Sequence, residues 1–341
     1  MKRQANKHIT PILIAILVLG FALFVLNLII GSVSISWNDF TEAVFQGKDS
    51  TSRSIILDYR LPQAITALLA GIGLSVSGLL MQTLFRNPLA DPSILGISSG
   101  ASLGVALVVL LGGTALTGFA WWATLGISAA AFIGAFLVLL LILSLSSRLN
   151  SMVSLILVGI MIAYIAGSVT DVLKFFGQKE DVHAFVVWGL GSFSSVGKAQ
   201  LPFLGIVVAL GTIVAFLLSK TLNLLLLGDR YAENLGLNIR RSSMLTIMVA
   251  GLLTAVVTAF CGPIAFIGLA VPHIARFLFK TSDHRLLMPA TALIGMDLAL
   301  FCNLIARLPS FENNLPINSV TALIGAPIVL AVILKRQKSI K

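Results

Sequence analysis

The sequence predicts an all-α protein, a polytopic membrane bundle of about ten transmembrane helices with both termini on the cytoplasmic side. Three observations predict it. Hydrophobic residues make up 57% of the 341 and charged ones 11%, with a mean hydropathy of +1.02, more apolar surface than a soluble domain of this length buries. Apolar runs of about 20 residues recur, each long enough for a helix to cross a ~30 Å hydrocarbon layer. The basic residues are also segregated between the two sides. Alternating two-residue patterns, which a membrane barrel needs, are absent, and a helix satisfies its own backbone hydrogen bonds in lipid.

The expected spans are 10–30, 60–84, 93–112, 119–146, 151–174, 200–219, 242–261, 266–280, 286–306 and 318–334. With the N-terminus inside, sixteen of the 23 Lys and Arg residues fall on the cytoplasmic side, and seven fall outside: Lys48, Arg53, Arg60, Lys174, Lys179, Lys198 and Arg307. That asymmetry sets the topology. The net charge of +10 is therefore a topology signal and not a footprint for nucleic acid.

The first run has a basic start and continues into Gly31-Ser32-Val33-Ser34 without a small-x-small cleavage site, so it reads as a retained span. The outer loop 31–59 holds Trp37 to Gln46, with Trp37, Phe40, Val44 and Phe45 on one face, a pattern that lies flat at an interface. The next two spans carry small residues, Gly71, Gly73, Ser75, Ser77 and Gly78, then Gly96, Ser98, Gly100 and Gly104. Such faces let backbones approach closely, which puts these spans inside the bundle or along a translocation path. Between them, two prolines keep Arg86-Asn87-Pro88-Leu89-Ala90-Asp91-Pro92 from being helical throughout. Asp171 and Lys174 sit near an outer end, and 175–199 is the longest outer loop, with a bend at Gly189-Leu190-Gly191-Ser192.

A polar island, 220–242, then interrupts the apolar pattern. It reads as about one short amphipathic helix on the cytoplasmic side, punctuated by Gly228 and Gly236 and closed by Arg240 and Arg241. Cys261 and Cys302 lie in apolar surroundings and read as packing residues. Pro263-Ile264-Ala265 and Ile267-Gly268 faintly echo Pro88-Leu89-Ala90 and Ser93-Ile94-Leu95-Gly96 on the opposite side of the membrane, as in an inverted repeat. The outer loop 308–317 is short and polar, and the whole chain forms one transmembrane domain.

The motifs of several enzyme classes are missing. No G-x-x-x-x-G-K-[ST] is present, so the chain has no phosphate cradle of that kind, and neither H-E-x-x-H nor G-x-S-x-G occurs. His8, His183, His273 and His284 are too scattered to suggest a metal site. Asp297, deep in a span, leaves an ion-coupled secondary transporter as an alternative.

Four segments carry a resemblance: Arg60-Leu61-Pro62 through Leu69-Ala70-Gly71, Gly78 and Gln82 to Asn87-Pro88-Leu89-Ala90-Asp91-Pro92; Gly228 to Gly236 with Ala232, Leu235 and Gly236; Gly262 to Arg276; and Leu315-Pro316 with Gly325-Ala326-Pro327. In this order they resemble the ATP-binding-cassette importer permeases for iron–siderophore complexes, haem and cobalamin. The resemblance implies a non-enzymatic subunit of the bacterial inner membrane that binds no cofactor itself. Its partners would be cytoplasmic ATPase subunits holding ATP and Mg2+, an extracytoplasmic substrate-binding protein, and a second permease copy, identical or related. The ATPase would dock on Gly228, Asp229, Arg230, Tyr231, Ala232, Leu235 and Gly236, with Tyr231 and Leu235 as apolar anchors. Asn87, Leu89, Ser151 and Met152 would form the inner gate, Asn87 having a helix-end cap as its alternative role. Arg60 and Arg307 would meet the binding protein, whereas Gln63 stands where relatives are often basic. An iron–siderophore complex is the expected cargo, with haem and cobalamin as alternatives.

If ATP drives transport, Asp297→Asn leaves uptake largely intact. Complete loss of uptake at normal expression would instead favour ion coupling.

Overall fold

The computed structural model describes residues 2–31, 33, 35–42, 51–112, 120–146, 148–149, 151–308 and 314–338. Its helices are α1 (Lys2–Ile29), α2 (Leu61–Leu84), α3 (Ile97–Gly112), α4 (Ala120–Ser146), α5 (Met152–Phe176), α6 (Lys179–Gly189), α7 (Leu201–Leu217), α8 (Ser219–Leu225), α9 (Asp229–Asn234), α10 (Ile239–Cys261), α11 (Ile267–Phe279), α12 (His284–Ala306) and α13 (Ile317–Lys338). Shorter helical pieces occupy Trp37–Thr41, Thr51–Ser54 and Pro92–Leu95, and a π-helical turn, Ile55–Arg60, leads into α2.

Among the described residues, six helices are long and apolar enough to cross a membrane, and the α7–α8 pair makes a seventh if counted as one bent span. Three shorter apolar helices, Ile97–Gly112, Ile267–Phe279 and Ile317–Val332, stand where further spans are expected. The 13 residues of α11 rise only about 20 Å. The chain before α11 is unwound from Gly262 to Phe266. This break is tied down by the outer segment: Ser192 N donates to Cys261 O at 2.8 Å, and Ala265 N donates to Asn318 Oδ1 at 3.0 Å. Irregular backbone at membrane depth needs such partners.

α2 is the hub. Its span is 78% buried, whereas that of α5 is 17% buried. Small residues permit this: a Cβ at Gly71 would stand 2.2 Å from Gly295 O on α12, and one at Gly78 would stand 2.0 Å from Gly268 O on α11. On a third side Ser77 Oγ donates to Ala250 O of α10 at 2.6 Å. The glycine-rich start of α3 packs in the same way, with Gly100 and Gly104 against Gly134 and Ala130 of α4.

Several local expectations are corrected. The loop 175–199 contains the helix α6, whose Glu180 and Asp181 favour its N-terminal turn and whose Phe185 is buried. The expected span 200–219 is α7, and at its end the chain turns by 54° into α8, the first helix of the island. At the bend Ser219 Oγ takes Phe216 O at 2.5 Å, a local competitor for the helical ladder. The island is two short helices, α8 and α9, rather than one. Trp37 does stack on Phe40, with ring centroids 5.6 Å apart, while Val44 and Phe45 lie outside the described residues, as do 309–313 of the last outer loop. Cys261 and Cys302 are buried and free.

Gly78→Ala should lower the thermal midpoint of the detergent-purified chain, at a cost of about 1–3 kcal/mol. Gly167→Ala, where nothing lies within 4 Å of the added Cβ, should not.

Candidate functional site

One end of the bundle, the inner end in the expected topology, presents the island. Gly228 at φ 106° and Gly236 at φ 85° adopt left-handed backbone, which a residue without a Cβ enters cheaply, and they bracket α9. Tyr231 and Leu235 are 57% and 55% exposed, and Leu226 and Leu227 are exposed as well, so the island carries several exposed apolar side chains. Asp229 and Arg230 are also exposed. Ala232 differs, being fully buried, and it holds α9 against the body.

Arg86 joins this island to the inner turn that follows α2. Its Nε donates to Leu225 O at 3.1 Å, and its guanidinium forms an ion pair with Asp229. Arg86 itself has φ 47°, and Asn87 N reaches back to Gln82 O at 3.2 Å, so α2 ends in a Schellman-type turn with arginine at the left-handed position. The side chain of Asn87 is used locally, accepting the N–H of Leu89 at 3.0 Å; this is a turn contact and not a bond back to the helix. Leu89 is 42% exposed. Ser151 and Met152, by contrast, meet the island directly, lining with Asp229, Glu233, Arg240 and Ser243 a cavity of about 340 Å³. One expected gate pair thus shares a cavity with the island, and the other connects to it through Arg86.

At the opposite, outer end Arg60 and Arg307 are both buried within the chain, at 2% and 7% exposed. Arg60 donates to Leu28 O at 3.1 Å, to Ile29 O at 2.5 Å and to Val33 O, while Arg307 donates to Asn27 O at 3.4 Å. The carbonyls of Asn27, Leu28 and Ile29 are orphan acceptors at the end of α1, and cations suit that end of a helix. Next to them Asn303 Nδ2 donates to Asn27 Oδ1 at 2.7 Å, Gln63 Nε2 donates to Asn303 Oδ1 at 3.0 Å, and Asn27 Nδ2 donates to Leu300 O at 3.0 Å. The arginines and Gln63 form part of the lining of an outer cavity of about 630 Å³ with Asp58, Tyr59, Gln200 and Asn314, and Asp58 is paired with Lys198. At another outer position, Lys174 pairs with Asp171 at 2.6 Å.

Sequence reasoning missed Arg86 as a connector and Asn27, Asn303, Asn223 and His284 as polar partners. A lone amide in an apolar run, as at Asn27, is the one signal that could have flagged that group. Asp297 packs into the α1–α12 seam, where its Oδ1 would stand 2.5 Å from a Cβ on Gly20. Outside the spans, the N–H of Arg285 and then the amide of Asn223 hold the Asp283 carboxyl below its ordinary range.

A model of the FecCD transport family matches residues 16–335. The vitamin B12 import system permease protein BtuC of Yersinia enterocolitica is 36% identical over 85% of this chain and 84% of its own length. The hemin transport system permease protein HmuU of Yersinia pestis is 33% identical over 94% of this chain and 96% of its own. A solved structure of a metal-chelate type ABC transporter in an inward-facing conformation superposes with a TM-score of 0.84 at 31% identity, over 96% of this chain and 99% of that one.

Arg60→Gln should destabilise the purified chain by about 1–3 kcal/mol, because buried carbonyls lose their donors. Arg53→Gln, at a less enclosed position, should cost less in the same thermal melt.

Proposed function

Because the chain belongs to the FecCD transport family, we propose that it is the membrane permease of an importer that takes an iron–siderophore complex from a binding protein and moves it inward across the bacterial inner membrane. The observation that carries the partner assignment is the exposure of four apolar side chains, Leu226, Leu227, Tyr231 and Leu235, on an otherwise polar island. Exposed apolar groups of that kind suit docking into a protein cleft. Two ATPase subunits bind ATP and Mg2+ and supply the differential affinity that switches the permease between states.

In this reading the chain crosses the membrane ten times, with both termini inside and the three shorter apolar helices completing the count. A second, identical copy packs against α5, whose Tyr164, Phe175 and Phe176 are 69%, 82% and 80% exposed. The path runs between the copies, with Asn87, Leu89, Ser151 and Met152 at its inner end. The binding protein docks around the outer cavity, and Arg60 and Arg307 act from its floor. Cargo contacts along the path are weak, since a conduit that held its ligand tightly would not release it. The relatives' names span vitamin B12, hemin and metal chelate, so haem and cobalamin are the competing cargoes.

The test is gentle affinity purification of the tagged chain from its native membrane. An ATPase subunit should co-purify, and Gly236→Pro should abolish uptake while the chain still inserts. A chain that comes out alone, or full uptake by the proline variant, would reject the reading.

A further inference from the structure

The island is gripped at a second point, independent of Arg86. On α8, Asn223 Oδ1 accepts both the backbone N–H of His284, at 2.9 Å, and its ring Nδ1, at 2.7 Å. An amide oxygen only accepts, so Nδ1 carries a proton. Asn223 Nδ2 donates to Asp283 Oδ1 at 2.6 Å, the same oxygen that caps α12 by accepting the N–H of Arg285 at 3.0 Å. On the far side of the ring, His284 Nε2 lies 2.7 Å from Oγ1 of Thr83, the penultimate residue of α2. His284 is 1% exposed, and both of its ring nitrogens are engaged.

This polar chain links three elements: the helix next to the proposed ATPase contacts, the start of α12, and the inner end of the central helix. Thr83 and Arg86 are three residues apart, so the two grips hold α8 and the start of α9 to one end of α2. The far side of that end is fixed as well. Gln82 Oε1 accepts from Arg276 at 2.6 Å, and His273 Nε2 bonds Pro88 O at 2.8 Å. Displacement of the island therefore loads residues 82–88 directly, and these residues carry the turn with Asn87 and Leu89. The Thr83–His284 bond is buried and the Asn223–His284 bonds are partly buried, unlike the exposed, salt-screened pair of Arg86 and Asp229.

We propose that Asn223, His284 and Thr83 are positioning residues that transmit motion of the ATPase-docked helices to the inner end of α2, an inference that rests on the importer reading. His284 variants risk misfolding, so the test uses Thr83 and Asn223. The complex is purified with its co-purifying ATPase and binding protein and placed in liposomes. Cargo moved per ATP hydrolysed is then measured with radiolabelled ferric siderophore, haem and cobalamin supplied in parallel. Thr83→Val, which removes only the hydroxyl, and Asn223→Leu should lower cargo per ATP about tenfold, while Thr83→Ser should stay within about twofold of the parent. An unchanged ratio for Thr83→Val, or an equal fall for Thr83→Ser, would overturn the relay and leave the importer standing. Failure of any ATPase to associate with the parent chain would strike the importer reading itself.

Discussion

Backbone-to-backbone approach along α2 is the constraint on which the rest of the molecule depends. Lipid tails are as apolar as leucine, so helices in a membrane gain little from hiding apolar surface from one another and must earn cohesion by close packing and shared hydrogen bonds. Gly71 and Gly78 let α2 lie directly against α12 and α11, and Ser77 bonds to α10. With those neighbours fixed, the break at Gly262–Phe266 can be paired by the outer segment, and the inner end of α2 comes within reach of the island. Larger side chains on α2 would separate these contacts together.

The two faces of the bundle use the same residue types differently. At the inner face charged and amide groups join separate helices: Arg86 to α8 and α9, and Asn223 through His284 to α2. At the outer face arginines and amides close a helix end and leave a cavity above it. Family membership makes the chain a permease subunit of an ABC importer, and this division suits a subunit that receives force on one side and cargo on the other.

Much of the architecture was legible in the sequence because hydrocarbon imposes simple rules. The small residues at 71–78 marked the buried helix α2, those at 96–104 marked a close contact with α4, and the prolines at 88 and 92 marked a break. The island stood out because polar residues interrupted an apolar pattern. What was not legible depends on partners distant in sequence or on local hydrogen bonds. Arg60 and Arg307 read as interfacial charges because the carbonyls they cap belong to α1, 31 and 280 residues away. The bend at Leu218 has neither proline nor glycine to announce it and follows from one serine hydroxyl. Helix α6 was hidden by its charged first turn in a segment that read as loop.

The amide chain at the outer end of α1 has a consequence for biogenesis. Asn27 enters the membrane with the first span, yet its partner Asn303 lies 276 residues later. At roughly 5–20 residues per second of synthesis, the interval is on the order of 10–60 s. During that time α1 carries a polar side chain whose amide partner only the last third of the chain supplies, although Arg60 can already cap its end. Asn27 therefore gains its distant amide partner long after its own helix is made. A ribosome that stalls before α12 leaves a nascent chain with an exposed amide in lipid, a feature that membrane quality control could recognise.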